Sequence, residues 1–247
     1  MMNKRQSNSV LTNTLKFAKL TAGLIFMVSV VGCSGNPYVS NAERNEVITL
    51  GDSIYDLSGE IQMFLEQDAG ETFRDYTQSG AELAGGSLAT SVIKQYADAK
   101  ADNSTIETIV MNGGGNDILI PAMIFDPYRC KTKWYRPNLT NSCISLVDDV
   151  YVDAVTLLNQ MKTENVSNVL YLGYYHTTGN LTNLIKAVDY GNLRLSEACS
   201  NTTANCSFID PRSVIVPSDV ISDNIHPTTS GSQKMAALIW PLLEPLL

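Results

Sequence analysis

One serine and one of the two histidines in this 247-residue chain stand where they could act as a nucleophile and its base. Ser53 follows the apolar run 46–50 and a Gly-Asp pair, and an amphipathic stretch comes next, so we expect its hydroxyl on a sharp turn between a strand and a helix. His226 lies in the segment 223–227 (DNIHP), three residues after Asp223. A base can take the serine proton, and a carboxylate can orient the imidazole. Together these residues could attack a carbonyl carbon.

Each of these residues also has a structural explanation that involves no reaction. An Asp-Ser pair at the start of a helix commonly caps the free backbone N–H groups there. An isolated Asp-x-x-His segment is commonly a solvated loop. The serine and the histidine therefore indicate a site only in combination with other groups.

Glycines and one amide side chain follow two further strand candidates. Gly80 comes after the run 73–77, and three glycines with Asn116 come after the run 107–111. An oxyanion needs two or three hydrogen-bond donors, and losing one costs about 3 to 4 kcal/mol in the transition state. Glycine-rich strand ends also occur in nucleotide sites, but the chain lacks G-x-G-x-x-G at its first βα turn and lacks a G-K-[ST] phosphate loop.

Five short apolar runs alternate with helical patterns, and these elements must position the candidate residues. The alternation predicts a three-layer α/β/α sandwich around a mostly parallel five-stranded sheet. Ligand sites in such sheets lie at the carboxyl ends of the strands, where the serine, the glycines and the amide fall together with His176. The predicted strands are 46–50, 73–77, 107–111, 168–174 and 207–209, and the predicted helices are about 54–65, 83–99, 144–162, 181–198 and 233–247.

Prolines disturb this pattern at two places. The segment 118–144 contains three prolines and several aromatic residues, so we predict an inserted loop without a helix or central strand. Its aromatic residues could form a lid or an acyl-chain platform, or pack across the rim of the site; they are Tyr128, Trp134 and Tyr135. Pro241 is expected to kink or interrupt the last helix.

Four cysteines lie within the predicted domain, an even number that favours two disulfides in an exported protein. Three connectivities are possible. The short spacings favour Cys130 with Cys143 and Cys199 with Cys206. A metal site is the rival interpretation, and the absence of a CxxC pair together with only two histidines argues against it.

The first 32 residues have the pattern of a secretory signal peptide, with basic residues followed by a short apolar run. Its end, Val30-Val31-Gly32-Cys33, resembles a bacterial lipobox, which implies cleavage before Cys33 and acylation of that cysteine. The alternatives are an ordinary signal peptide or an uncleaved anchor, although the apolar run is shorter than the roughly 20 residues of a spanning helix. We thus predict a signal at 1–32, a tether at 33–45 and a domain at 46–247.

The charge of the chain limits its partners. The formal net charge is −8. All charged residues of the predicted signal are basic, so its removal would leave a still more acidic mature chain. Nucleic acid is therefore an unfavourable partner. A membrane contact is expected through the lipid anchor, and serine rather than aspartate at position 34 fits sorting to the outer membrane of a Gram-negative bacterium.

Four segments, in order, resemble the sequence blocks of the SGNH (GDSL) hydrolases. They are Gly51-Asp52-Ser53-Ile54, Gln78-Ser79-Gly80, Gly115-Asn116-Asp117 and Asp223 to Pro227. The resemblance covers about residues 46–247 and implies the flavodoxin-like SGNH fold, with no metal or organic cofactor. It implies Ser53 as nucleophile, His226 as general base and Asp223 as orienting acid.

The same resemblance implies an oxyanion hole formed by the Ser53 and Gly80 backbone N–H groups and the Asn116 side chain. Gly85 and Gly86 are nearby alternatives to Gly80. Among other polar residues, we expect Asp117 to support its turn and His176 to have a structural role. Asp210 is a weaker rival to Asp223.

The implied activity is hydrolysis of carboxylic esters through an acyl-enzyme, on a lipid or another small ester. Within the same fold, removal of acetyl groups from a polysaccharide or peptidoglycan is a second possibility. A surface lipoprotein that binds without turnover is a hypothesis of a different class, and a nucleotide-binding protein is a more remote one.

Overall fold

Five parallel strands form the central sheet in a computed structural model that describes residues 38–86 and 88–247. The strand order is β2-β1-β3-β4-β5, so the first strand lies inside the sheet and the chain extends it in both directions. This is the predicted three-layer α/β/α class. The strands are β1 (Arg44–Leu50), β2 (Phe73–Asp75), β3 (Thr108–Met111), β4 (Asn168–Leu172) and β5 (Cys206–Ile209).

Helices cover both faces of the sheet. Side chains alternate along each strand: Ile109 and Met111 pack into the core on the side of α3, α5 and α6, whereas Val110 packs into the core against α2 and α7. Strands buried on both sides are rich in apolar residues, as β3 and β4 are, whereas β2 contains the buried Arg74 and Asp75. The helices are α1 (Ser53–Asp56), α2 (Glu60–Ala69), α3 (Val92–Asp102), α4 (Gly115–Ile124), α5 (Asn141–Thr163), α6 (Ile185–Asn201) and α7 (Thr229–Leu243).

The register of β1 against β3 brings the two loops that follow them together. Leu50 is paired with Met111, so Gly51 and Asn112 are neighbours across the sheet end. Gly51 has φ +153°, and a Cβ there would lie 2.0 Å from Asn112 Oδ1. Only glycine fits this position because the Asn112 side chain fills the space.

The prediction that 118–144 lacks a helix is wrong for its first part. Helix α4 continues through Pro121, which forfeits only the one backbone hydrogen bond that its nitrogen would make. Packing offsets this loss, because Ala122 and Ile118 contact the cluster around the Cys130–Cys143 disulfide. The remainder, up to the start of α5, is a loop with one short bridge between Lys133 and Arg136.

Several helix limits differ from the predicted ones because of local capping. The predicted helix 54–65 is divided in two at Gly59, whose φ is +66°. Helix α3 starts only after Ser91, whose side chain accepts a hydrogen bond from the Lys94 N–H at 3.3 Å. Helix α7 continues through Pro241 to Leu243 instead of being interrupted there.

Two disulfides are present, and they join the predicted pairs. Cys130 is bonded to Cys143, which holds the loop after α4 to the first turn of α5. Cys199 is bonded to Cys206, which joins the end of α6 to the start of β5. Within residues 38–86 and 88–247, no group of three or more potential metal-ligating side chains occurs.

The domain begins earlier than predicted. β1 starts at Arg44, and Val39 exchanges two backbone hydrogen bonds of 2.9 Å with Asp75 at the end of β2. The predicted tether 33–45 is thus packed against the sheet from Val39 onward. The predicted signal 1–32 and the predicted acylation site Cys33 lie outside the described residues. Across the part of the chain that the structure describes, no helix has both the length and the apolar character required to cross a bilayer.

Candidate active site

Asp52, and not Ser53, caps the short helix after β1. Its Oδ1 accepts a hydrogen bond from the Ile54 N–H at 2.9 Å, which is the role of an N-cap side chain. The capping role that an Asp-Ser pair suggests is therefore filled by the aspartate. Ser53 becomes the first residue of α1, and its hydroxyl remains available to another partner.

That partner is His226. Its Nε2 lies 2.8 Å from Ser53 Oγ, and its Nδ1 lies 2.6 Å from Asp223 Oδ2. The three side chains thus form a continuous hydrogen-bonded chain from carboxylate to imidazole to hydroxyl. A carboxylate at Nδ1 fixes the tautomer in which Nε2 can accept the serine proton.

The Asp223 carboxylate is held in its ionised form by the loop around it. Its Oδ1 accepts hydrogen bonds from the backbone N–H groups of Ile225 at 2.9 Å and His226 at 3.0 Å. Burial alone would raise the pKa of Asp223, but the hydrogen bonds from the His226 side chain and these amides outweigh it and hold the pKa below its ordinary value. A negative charge facing Nδ1 stabilises the imidazolium that forms during proton transfer.

The histidine loop is tied to the rest of the domain on both sides. Tyr175, beyond β4, donates its hydroxyl to the Ile225 carbonyl at 2.6 Å, and the His226 carbonyl accepts from the Ile221 N–H at 2.9 Å. Asn224 adopts φ +69°, a left-handed conformation that asparagine tolerates better than most residues. These contacts position the imidazole over Ser53 before any substrate arrives.

A buried polar network lies directly beneath the serine, and sequence analysis did not predict it. Asp52 Oδ2 accepts the Tyr174 hydroxyl at 2.7 Å, and Asp52 Oδ1 also accepts the Asn112 side-chain amide at 2.8 Å. Asn112 Oδ1 in return accepts the Asp52 backbone N–H at 2.9 Å. Burial raises the pKa of Asp52, and the surrounding donors counteract only part of that rise. The network fixes the turn that carries Ser53.

The oxyanion role of Asn116 stays a prediction, and its position is compatible with it. One hydrogen of its side-chain amide goes to the Ala81 carbonyl at 3.0 Å, and the residue lines the same cavity as Ser53. Among the described residues, the second amide hydrogen has no protein acceptor. This leaves one oriented N–H beside the serine, together with the backbone N–H at the start of α1.

Gly80 has a backbone suited to its predicted role, although it does not line the cavity. It adopts φ +86° in a turn where the Ala81 N–H bonds to the Gln78 carbonyl at 3.0 Å. Within residues 38–86 and 88–247, its N–H donates to no protein group. Its participation in the oxyanion hole stays a prediction, as does that of the alternatives Gly85 and Gly86.

Other acidic residues and the second histidine have structural partners. Asp117 accepts the Leu83 N–H at 2.8 Å and so joins α4 to the loop between β2 and α3. Burial raises the pKa of Asp117 to about 6. Asp210 binds Arg212, with Oδ2 2.6 Å from the guanidinium, rather than the imidazole of the site. His176 Nε2 lies 2.7 Å from Asp189 Oδ1. The predicted supporting roles of Asp117 and His176 stay predictions, and the partner of Asp210 is Arg212.

A cavity begins at Ser53 and extends between α4, α5 and α6. Its lining includes Ser53, Asn116, Tyr174 and Tyr175. Most of the remaining lining is aliphatic. These residues include Ile118, Leu119, Val147, Val150, Leu184, Ala187, Val188 and Leu195.

No family model matches the chain, and no curated protein matches it. Solved structures do. One is the lipase Lip_vut3 from a goat rumen metagenome, with 15% identity, 78% of this chain and 94% of that chain covered, and a TM-score of 0.59. A second is a carbohydrate esterase family 3 protein from Talaromyces cellulolyticus, with 15% identity, coverage of 81% and 96%, and a TM-score of 0.59.

A third neighbour is a mutant of the acetylxylan esterase Axe2 from Geobacillus stearothermophilus, with 13% identity, coverage of 79% and 92%, and a TM-score of 0.56. The chain therefore has the α/β fold of these esterases. This is the fold that the resemblance of its motifs to SGNH hydrolases implied.

Proposed function

We propose that this protein is a serine ester hydrolase of the SGNH type, which cleaves carboxylic esters. The observation that carries the proposal is the 2.8 Å hydrogen bond between His226 Nε2 and Ser53 Oγ, where Ser53 lines a cavity together with Asn116. The esterase neighbours support it, because their fold carries the same class of reaction.

The proposed reaction has two halves. His226 takes the proton of Ser53 while the oxygen attacks the ester carbonyl, and the oxyanion is stabilised by the Asn116 amide and the backbone N–H of Ser53. The imidazolium then protonates the departing alcohol, which leaves an acyl group on Ser53. In the second half, the same imidazole activates a water molecule that releases the carboxylic acid.

A fluorophosphonate probe tests this proposal because it modifies only an activated serine. We expect the wild-type chain to be labelled and Ser53→Ala to be unlabelled. Ser58→Ala is a matched control, since Ser58 is an exposed serine five residues away whose only described contact is a 3.4 Å hydrogen bond from Glu60. Equal labelling of the wild type and Ser53→Ala would overturn the proposal, and so would an unlabelled wild type that circular dichroism shows to be folded.

Deacetylation of a carbohydrate is the second candidate, because two of the neighbours are a carbohydrate esterase and an acetylxylan esterase by name. Acetylated xylan and acetylated peptidoglycan, assayed beside p-nitrophenyl esters of rising chain length, separate the two. Turnover confined to acetyl groups on sugars would favour this candidate over the lipid or acyl ester.

We also propose that the protein is exported and anchored in the cell envelope through an acylated Cys33, and that its negative charge disfavours binding to nucleic acids. The support is the lipobox-like end of the predicted signal at Cys33. Metabolic labelling with a palmitate analogue tests it. Label in the wild type and its loss in Cys33→Ala is the expected result, whereas label that persists in Cys33→Ala would contradict the assignment.

A further inference from the structure

The cavity beside Ser53 is closed in by three helices whose facing side chains are mostly aliphatic, although Tyr151, Asn192 and Arg194 also line it. Ile118 and Leu119 come from α4, Val147 and Val150 from α5, and Ala187 from α6. An acetyl group needs only the space next to the serine. A cavity that continues between three helices offers an apolar lining to a much longer group.

Gly191 is the unusual residue in this lining. It lies inside α6, where glycine is a poor helix former, and a Cβ there would meet only Ile118 Cδ1, at an ordinary contact distance of 3.8 Å. By contrast, a Cβ at Gly115 would lie 2.5 Å from the Tyr174 ring, and one at Gly173 would lie 2.7 Å from Asn192 Oδ1. Close packing therefore explains Gly115 and Gly173 but not Gly191. The absence of a side chain at Gly191 leaves open space in the cavity.

We infer that this cavity binds the acyl chain of the substrate, and that Gly191 sets the length of chain it accepts. The inference rests on the proposed ester hydrolysis and names its substrate class: esters of medium-length or long fatty acids. Each methylene that moves from water into an apolar lining favours binding by about fourfold. The specificity constant kcat/KM should therefore rise with chain length until the cavity is full.

The test compares p-nitrophenyl acetate, butyrate, octanoate and laurate as substrates for wild type, Gly191→Ala and Gly191→Leu. We expect Gly191→Leu to lower the octanoate-to-acetate ratio of kcat/KM at least tenfold, because the leucine side chain fills the cavity. Gly191→Ala should lower this ratio less than Gly191→Leu does. Ser200→Leu, which adds the same side chain at an exposed position of the same helix, should leave the octanoate-to-acetate ratio unchanged.

A binding measurement separates this inference from the proposed function. Laurate should raise the melting temperature of Ser53→Ala, and Gly191→Leu in that background should abolish the rise. An unlabelled wild type in the fluorophosphonate assay, combined with Gly191-dependent laurate binding, would reject the hydrolase and keep the acyl-chain site. An active enzyme whose octanoate-to-acetate ratio does not respond to Gly191→Leu would reject the acyl-chain site alone.

A different observation concerns the loop between α4 and α5. Its large apolar side chains point to solvent: Phe125 is 89% exposed, Trp134 92% and Tyr135 62%. Among them lie the basic residues Arg129, Lys131 and Lys133, none of which forms an ion pair within the described part of the chain. The segment 121–140 holds four basic residues and one acidic residue, in a chain whose formal net charge is −8.

This loop is also held in place. The Cys130–Cys143 disulfide joins it to α5, and Thr132 donates both its backbone N–H, at 2.8 Å, and its hydroxyl, at 2.9 Å, to the Asn183 carbonyl. Exposed aromatic rings on a fixed loop favour the boundary between water and lipid, and cations beside them favour anionic headgroups. The geometry points to a second role for this loop, namely docking on an anionic lipid surface.

Fluorescence of Trp134 tests the docking, in the full chain with Trp240→Phe so that Trp134 is the only tryptophan. With vesicles of phosphatidylcholine and phosphatidylglycerol, we expect a blue shift and quenching by brominated lipid, and neither with phosphatidylcholine alone. The double variant Lys131→Glu/Lys133→Glu should lose both signals, whereas Lys94→Glu/Lys162→Glu, with the same charge change elsewhere, should keep them. Trp134 emission that does not respond to phosphatidylglycerol, or equal losses in the two double variants, would reject the docking.

Discussion

The Tyr174 hydroxyl donates a 2.7 Å hydrogen bond to the Asp52 carboxylate, one residue before the proposed nucleophile. The Asp52 side chain is 2% exposed, and burial raises the pKa of the Tyr174 hydroxyl well above its ordinary value, so the hydroxyl keeps its proton and remains a donor. The turn that presents Ser53 thus depends on a residue that lies beyond a different strand.

Tyr174→Phe should therefore destabilise the domain while preserving the ring. Leaving a buried acceptor without its hydrogen bond costs about 1 to 3 kcal/mol, and urea unfolding followed by circular dichroism measures it. Tyr135→Phe is the control, because Tyr135 is exposed and makes no comparable bond. Equal midpoints for the two variants would show that the Asp52 contact contributes nothing.

Asp223→Asn should lower kcat by about 10³ to 10⁴, since the imidazole loses both its tautomer control and the facing negative charge. KM should change little, because the carboxylate faces away from the substrate cavity. Steady-state kinetics with p-nitrophenyl butyrate measures both constants. Asp210→Asn is the control, and a larger loss of kcat there than in Asp223→Asn would reverse the assignment of the acid.

Asp117 should make the stability depend on pH in a defined direction. Its pKa rises from 3.8 to about 6 on folding, so between these values the folded state holds more protons than the unfolded state. The contribution of Asp117 to stability must then fall as pH rises from about 4 to 6. Asp117→Asn keeps an oxygen for the Leu83 N–H but cannot ionise, so its stability does not fall in this way. The free energy of unfolding of Asp117→Asn minus that of wild type should therefore be about 1 to 3 kcal/mol larger at pH 7.5 than at pH 4.5. A variant and a wild type that change in parallel between the two pH values would contradict this prediction.

The two disulfides should contribute unequally. Cys130 and Cys143 are 13 residues apart and Cys199 and Cys206 are 7 apart, so loop-closure entropy gives about 3 kcal/mol for the first pair and about 2 kcal/mol for the second. Thermal unfolding of the two double alanine variants should rank them in that order. The reverse ranking would mean that packing around the second pair, and not chain entropy, decides its contribution.

Two glycine-to-alanine substitutions should have opposite effects on stability. Gly51→Ala places a Cβ against Asn112 Oδ1 and should destabilise by at least about 2 kcal/mol through a clash that the buried network cannot relieve. Gly191→Ala adds a methyl group in open space within a helix and should stabilise by about 0.5 to 1 kcal/mol. Chemical unfolding of both variants provides the comparison, and a destabilised Gly191→Ala would mean that this part of α6 has no room to spare.

Features that depend on a short contiguous stretch of residues could be predicted from the sequence. Apolar runs predicted strands such as β3 and β4 because a strand buried on both faces is rich in apolar residues, and the run 46–50 locates the turn of Ser53 at the end of β1. The DNIHP segment likewise holds both Asp223 and His226, so their pairing is a local property. The 2.8 Å contact between His226 Nε2 and Ser53 Oγ depends instead on the fold, which places the end of β1 next to the loop before α7.

Features that depend on contacts between distant segments could not be predicted in this way. Pro121 argued against a helix, yet α4 forms because the packing of its apolar face outweighs one lost hydrogen bond. Asp52, Asn112 and Tyr174 are unremarkable separately, and only the sheet register joins them. The sequence alone gave no reason to single out Gly191, because its role depends on the space that α4, α5 and α6 leave between them.

The hydrogen bond between Ser53 and His226 joins residues 173 positions apart, one after the first strand and the other before the last helix. A polypeptide that is synthesised from its N-terminus therefore completes this serine–histidine pair only late. A fragment that ends before residue 226 carries the serine without the group that activates it. The serine therefore stays without its base until the carboxyl-terminal segment has been made and folded against the sheet.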